Sequence, residues 1–107
     1  MYRKFRDFWP FYVREHSVPL NRILHLIGTS GTIACVVLAL VLHRPWLFAL
    51  APVSGYGFAW FGHFIVEKNR PATFKYPFYS LGADFVMLAC MLTGRMGKEI
   101  ERAKTAS

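Results

Sequence analysis

The chain has 107 residues, is 54% hydrophobic and 17% aromatic, and carries a formal net charge of +7. A soluble domain of this size buries only about 65% of its surface, so a composition this apolar argues against a free life in water. The basic residues lie beside apolar runs, which fits anionic lipid headgroups and argues against a nucleic-acid surface.

Residues 2–12, YRKFRDFWPFY, place aromatics at 2, 5, 8, 9 and 12, with Arg3, Lys4, Arg6 and Asp7 between them. That spacing predicts an amphipathic helix lying on the membrane surface within residues 1–16, bent or ended near Pro10, or else an ordinary first helix of a bundle. No signal peptide is expected, because the first long apolar run follows 22 residues that include five basic ones.

Ser17 and Pro19 read as the start of a first membrane helix over 18–42, since proline is tolerated in the first turn. Ile23 to Leu42 is a stretch of 20 residues without a formal charge, long enough to span a bilayer. Asn21, His25, Gly28 and Thr32 recur at helical spacing and form one polar or small stripe facing inward. The sequence GTSGT at 28–32 allows close approach of another helix. Cys35 in this run and Cys90 further on have no metal-type spacing and read as small buried hydrophobes.

His43-Arg44-Pro45 is a turn. A second helix is expected over 46–69, with Tyr56, Trp60, His63 and Glu67 on one face and Gly55, Ala59 and Gly62 on another. The residue before Pro71 is biased away from helix. A third apolar helix over 78–94 is short and interrupted by Asp84. The tail 95–107 is polar and reads as a short, fraying helix. The echo of WPFY at 9–12 in YPFY at 76–79 suggests two interfacial entry points.

The expected fold is therefore all-α: a small integral-membrane bundle forming one domain over 1–107. It has two full transmembrane helices in a hairpin, a partly embedded third helix and an N-terminal interfacial helix. The basic residues favour a cytoplasmic N-terminus and a cytoplasmic 67–77 loop, in a bacterial inner membrane. A dimer through the glycine faces is a further possibility.

The hairpin makes a geometric argument. His25 lies 19 residues before Arg44 and His63 lies 19 after it, so antiparallel helices put both at one depth, roughly 28 Å from the turn. Glu67 is one turn beyond His63, His16 stands at the same membrane face, and Asp84 enters from that side. Imidazoles and carboxylates together suit Fe(II), Mn or Zn, and two histidines with one carboxylate is the usual non-heme iron oxygenase set. The expected ligands are His16, His25, His63 and Glu67, with Asp84 and Asn21 just behind them. Glu67 has two structural alternatives, a salt bridge to Lys68 or Arg70 and a cap on the loop. A heme held between His25 and His63, or a non-catalytic scaffold or transporter, are the rival readings.

EH at 15–16, NRxLHxxGT at 21–29, GYxxAWxGHFxxEKNRPATFxYP at 55–77 and SLxxD at 80–84 together resemble the membrane family of 2-hydroxy-palmitic acid dioxygenases. The resemblance covers about residues 5–95. It implies an Fe(II)-dependent enzyme of fatty-acid α-oxidation that takes a 2-hydroxy fatty acid and O2 to an acid one carbon shorter, without 2-oxoglutarate. It also implies His16, His25 and His63 as the metal-binding histidines. Arg22, Arg70 and Asn69 are then expected near the substrate's polar head, and Tyr56 and Trp60 along its acyl chain.

Overall fold

The structure, a computed structural model, describes residues 2–105, without the side chains of Thr73 and Thr105. Among the described residues there are five α-helices and no strand. α1 spans Phe5–Arg14, α2 Pro19–Val41, α3 Leu47–Phe61, α4 Pro77–Leu92 and α5 Met96–Thr105. A π-helical segment, Gly62–Glu67, continues α3, and a 3-10 turn, Ala72–Phe74, precedes α4.

α2 and α3 form the hairpin. Glycines set how closely they cross. A Cβ on Gly28 would stand 2.9 Å from the Ser54 carbonyl oxygen and 2.9 Å from Phe58 Cβ, and one on Gly55 would stand 2.8 Å from Thr32 Oγ1. The hydroxyls bond across the same seam: Thr32 donates to the Ala51 carbonyl at 2.7 Å and Ser54 to the Gly28 carbonyl at 3.0 Å. These glycines pack within one chain.

α2 has 23 residues and is long and apolar enough to cross a membrane. Only 22% of its most apolar window is buried within the chain, whereas the core helix of a soluble protein is covered. α3 has 15 residues and is too short to cross as an α-helix by itself, so the second full span is not met in that form. The helical path continues past Phe61, but with π geometry.

The main core lies elsewhere. Phe8, Tyr12 and Val13 of α1 pack with Ala72, Ala83, Met87, Met96 and Ala103. This corrects the surface-lying reading of the first helix. Its amphipathic pattern is present, but the apolar side is turned into the protein. The helix does not end at Pro10 but continues through it, with the loss of one backbone bond, to the Arg6 carbonyl. Of the tail, Met96–Thr105 forms α5 and contributes Met96 and Ala103 to the core; residues 106 and 107 lie outside the described residues. Trp9 Nε1 donates to Glu99 at 2.7 Å and Arg14 to the Ala103 carbonyl at 3.1 Å. The two echoing aromatic segments meet each other, Phe11 against Tyr76 at 6.5 Å between ring centroids, instead of marking separate entry points. Cys35 and Cys90 are free and only half-buried.

Candidate metal centre

Three chain segments end at one point. His16 follows the last turn of α1, His25 sits in the second turn of α2, and His63 opens the π segment. All three are buried, at 0%, 3% and 2% exposure. One ligand nitrogen from each lies within 4.8 Å of the others. The rings stand nearly perpendicular in every pair, with centroids 4.4, 4.5 and 5.0 Å apart.

The hydrogen bonds decide the tautomers. His16 Nδ1 is 2.6 Å from the Tyr12 carbonyl oxygen and His25 Nδ1 is 2.9 Å from the Asn21 carbonyl oxygen. A carbonyl only accepts, so both Nδ1 atoms carry the proton. His63 Nδ1 is 2.7 Å from Asn69 Oδ1. That amide is oriented by its other end, where Nδ2 donates to the Glu15 carbonyl at 3.1 Å. A neutral imidazole has one N–H, so each Nε2 is a bare lone pair.

His16 Nε2 and His25 Nε2 nevertheless face each other at 3.0 Å. Two lone pairs at that distance repel unless a cation or a proton lies between them. Burial, then the neighbouring His25 and His63, push the His16 imidazole well below its usual range, which disfavours the proton. A metal ion fits instead. Two nitrogens about 2.1 Å from one ion and at right angles to it lie about 3.0 Å apart. The donor set, three neutral imidazoles with each Nδ1–H anchored, is what a ligand site needs.

The same geometry does not fit heme. The His25 and His63 ring centroids are 5.0 Å apart, too close for a macrocycle to lie between the two imidazoles.

The backbone explains the convergence. The π segment lengthens the turn that carries His63, and such segments gather at functional sites. Lys68 closes it in the left-handed region at φ 59°, a conformation uncommon outside glycine. That reversal brings Asn69 back onto His63, and its backbone N–H onto the His63 carbonyl at 2.9 Å.

Several expected site residues have other partners. Glu67 is not in the histidine cluster. Its Oε1 accepts the Val18 backbone N–H at 2.6 Å and its Oε2 the Ser17 hydroxyl at 3.2 Å. The N-terminus of α2 offers unpaired N–H groups and a positive dipole end, and it captures the carboxylate, a role different from both the salt bridge and the cap on its own loop. Asn69 holds His63. Arg22 donates to the His16 and Ser17 carbonyls at 2.7 and 3.0 Å, fixing the loop between α1 and α2. Asp84 accepts a hydrogen bond from the Tyr12 hydroxyl, so it acts on His16 at one remove. Trp60 is exposed and packs on Tyr56 and Phe74. Arg70 is exposed and lines a cleft with Phe11, Glu15 and Lys75.

Sequence reasoning missed Tyr12. Its ring stacks on His16 at 4.1 Å while its carbonyl holds the same residue. Burial and then the Asp84 charge push its phenol well above the usual range, so it is a neutral donor. The available signal was spacing: Tyr12 and Asn21 each stand four residues before a histidine, in reach of its Nδ1. A cleft of about 210 Å³ opens beside this pair between α2, α3 and α4, with Thr29, Ala51, Gly55, Tyr56, Asp84 and Phe85 in its wall.

The sequence profile of the 2-hydroxy-palmitic acid dioxygenase Mpo1-like family matches residues 2–96. The chain belongs to that family. All three histidines and every residue that anchors them lie inside the matched stretch. The family's description carries a dioxygenase and a hydroxylated fatty acid, and the buried histidine triad can hold the metal such chemistry requires. No curated protein and no solved structure matches the chain significantly.

Proposed function

We propose that this protein is an Fe(II)-dependent dioxygenase that shortens 2-hydroxy fatty acids by one carbon at a membrane surface. The observation that carries the reading is the set of three buried Nε2 lone pairs, aimed together in a member of this family. The overall change is R–CH(OH)–COOH plus O2 giving R–COOH, CO2 and water. It balances in atoms and electrons, so no reductant or 2-oxoglutarate is needed.

His16, His25 and His63 would hold the iron, which when bound supplies the reactivity toward O2 that protein side chains lack. The Tyr12 and Asn21 carbonyls and the Asn69 side chain fix the three rings. Burial of the triad keeps bulk water away. Arg70 is exposed and follows Asn69, the anchor of His63, and its guanidinium is suited to receive the substrate carboxylate through a charge-assisted hydrogen bond. The cleft past Gly55 and Tyr56 is suited to an alkyl chain. Two of its polar wall groups are already bonded internally, Thr32 to Ala51 and Asp84 to Tyr12.

Membrane embedding through α2 and α3 is part of this reading. It is supported by the length and hydropathy of α2 and by the exposed Val41, Val53 and Phe61 on the two helices. A cytoplasmic site follows from the basic loops around it.

The test is an assay in detergent. Protein reconstituted anaerobically with Fe(II) is given a long-chain 2-hydroxy fatty acid and O2, and the products are read by mass spectrometry. The expected product is the acid one carbon shorter, dependent on iron and lost in His63→Ala. Stoichiometric iron without product would remove the substrate assignment. An active, iron-loaded His63→Ala variant would remove the metal assignment.

A further inference from the structure

Two asparagines flank the triad, and they differ. Asn69 has both ends of its amide bonded. Asn21 is fully buried, at 0% exposure, yet neither its Oδ1 nor its Nδ2 has a hydrogen-bond partner. A buried carboxamide left unpaired is costly and calls for an explanation.

Its position supplies one. Asn21 is one helical turn before His25, and its own carbonyl anchors that ring at 2.9 Å. Its side chain lies against Gly62, where any Cβ would overlap Oδ1, and Gly62 immediately precedes His63. The unpaired amide therefore sits in the crossing between the elements that carry two of the three histidines. Leucine would fill the same space without the penalty of an orphaned polar group. A carboxamide there has a use only if a polar ligand completes it.

We propose that the Asn21 carboxamide is the hydrogen-bond partner of an oxygen-donor ligand or small anion held at the three-histidine centre, donating from Nδ2. The role rests on the metal centre proposed above but not on the identity of the substrate. Asn21 would select a ligand with a lone pair facing the amide and hold it in one orientation.

The test uses the full chain in detergent, loaded with Co(II), with azide as the anionic probe read by visible absorption. Asn21→Leu should keep its Co(II) affinity within about twofold and bind azide about tenfold more weakly, the size of one hydrogen bond to a charged group. Asn21→Asp has the same size but loses the donor and adds a charge, so it should weaken azide at least as much. Unchanged azide affinity in Asn21→Leu overturns the proposal, and a raised Tm there would mark Asn21 as a packing orphan. If Asn21→Leu loses Co(II), Asn21→Asp decides, and wild-type azide affinity in that variant overturns the role. A wild-type protein that takes up no Co(II) removes the metal centre and this role with it. A protein that binds Co(II) and azide normally but never shortens a 2-hydroxy acid loses only its substrate assignment.

Discussion

Glu67 is the residue whose job changed most between sequence and structure. Its four-residue spacing from His63 suggests a shared metal, but both oxygens are taken by Val18 and Ser17. Glu67→Gln should therefore leave the bound metal at wild-type stoichiometry while lowering stability by about 1 kcal/mol, as loss of a helix cap does. Elemental analysis and thermal melts separate the two effects, and a lost metal equivalent would return Glu67 to the ligand set. Tyr12 is the complementary case. Tyr12→Phe keeps the ring on His16 and the backbone carbonyl but removes the bond to Asp84. It should weaken metal affinity less than tenfold, while Tyr12→Ala, which removes the stacked ring, should cost more. A competition titration against a chelator ranks the two.

At the scale of elements, the triad depends on how closely α2 and α3 cross. Gly28 touches Ser54 and Phe58 one turn deeper than His25. Gly28→Leu must push the helices apart, at a cost of about 1–3 kcal/mol, and so separate His25 from His63. The expected result is a lower Tm with metal uptake lost in proportion, whereas Gly57→Ala, which meets nothing within 4 Å, should change neither.

The helices themselves were largely legible in the sequence, because uncharged stretches and the proline at 19 mark them directly. The matched depth of His25 and His63 was legible too, since it needs only a turn and a constant rise per residue. The π segment was not legible. It arises because the Lys68 reversal, Asn69 and the α2 N-terminus all act on the same six residues, and those contacts join segments about 50 positions apart. The direction of the apolar face of α1 was hidden for a similar reason. Amphipathic spacing states that one side is apolar, and only the partners on α4 and α5 decide what covers it.

The whole molecule measures 46 × 27 × 27 Å and is divided in character. One part is an aromatic-cored cluster of α1, α4 and α5, and the other is a hairpin whose outer face is apolar and exposed. Such a molecule should stay with the membrane fraction through high-salt and alkaline washes and leave it only in detergent. Release by salt alone would mean that the hairpin face is covered by something other than lipid.

The anchors behind the histidines carry a last consequence. All three are uncharged: two backbone carbonyls and one carboxamide. The carboxylates of Glu67 and Asp84 are held outside the ligand group, Glu67 by the α2 N-terminus and Asp84 by Tyr12. A dication seated here would therefore have no carboxylate in direct contact, and an anionic ligand would be drawn to it. In the proposed reaction the 2-hydroxy acid and the shortened acid are both such anions, so charge balance would favour substrate and product alike and would make escape of the product the slow event.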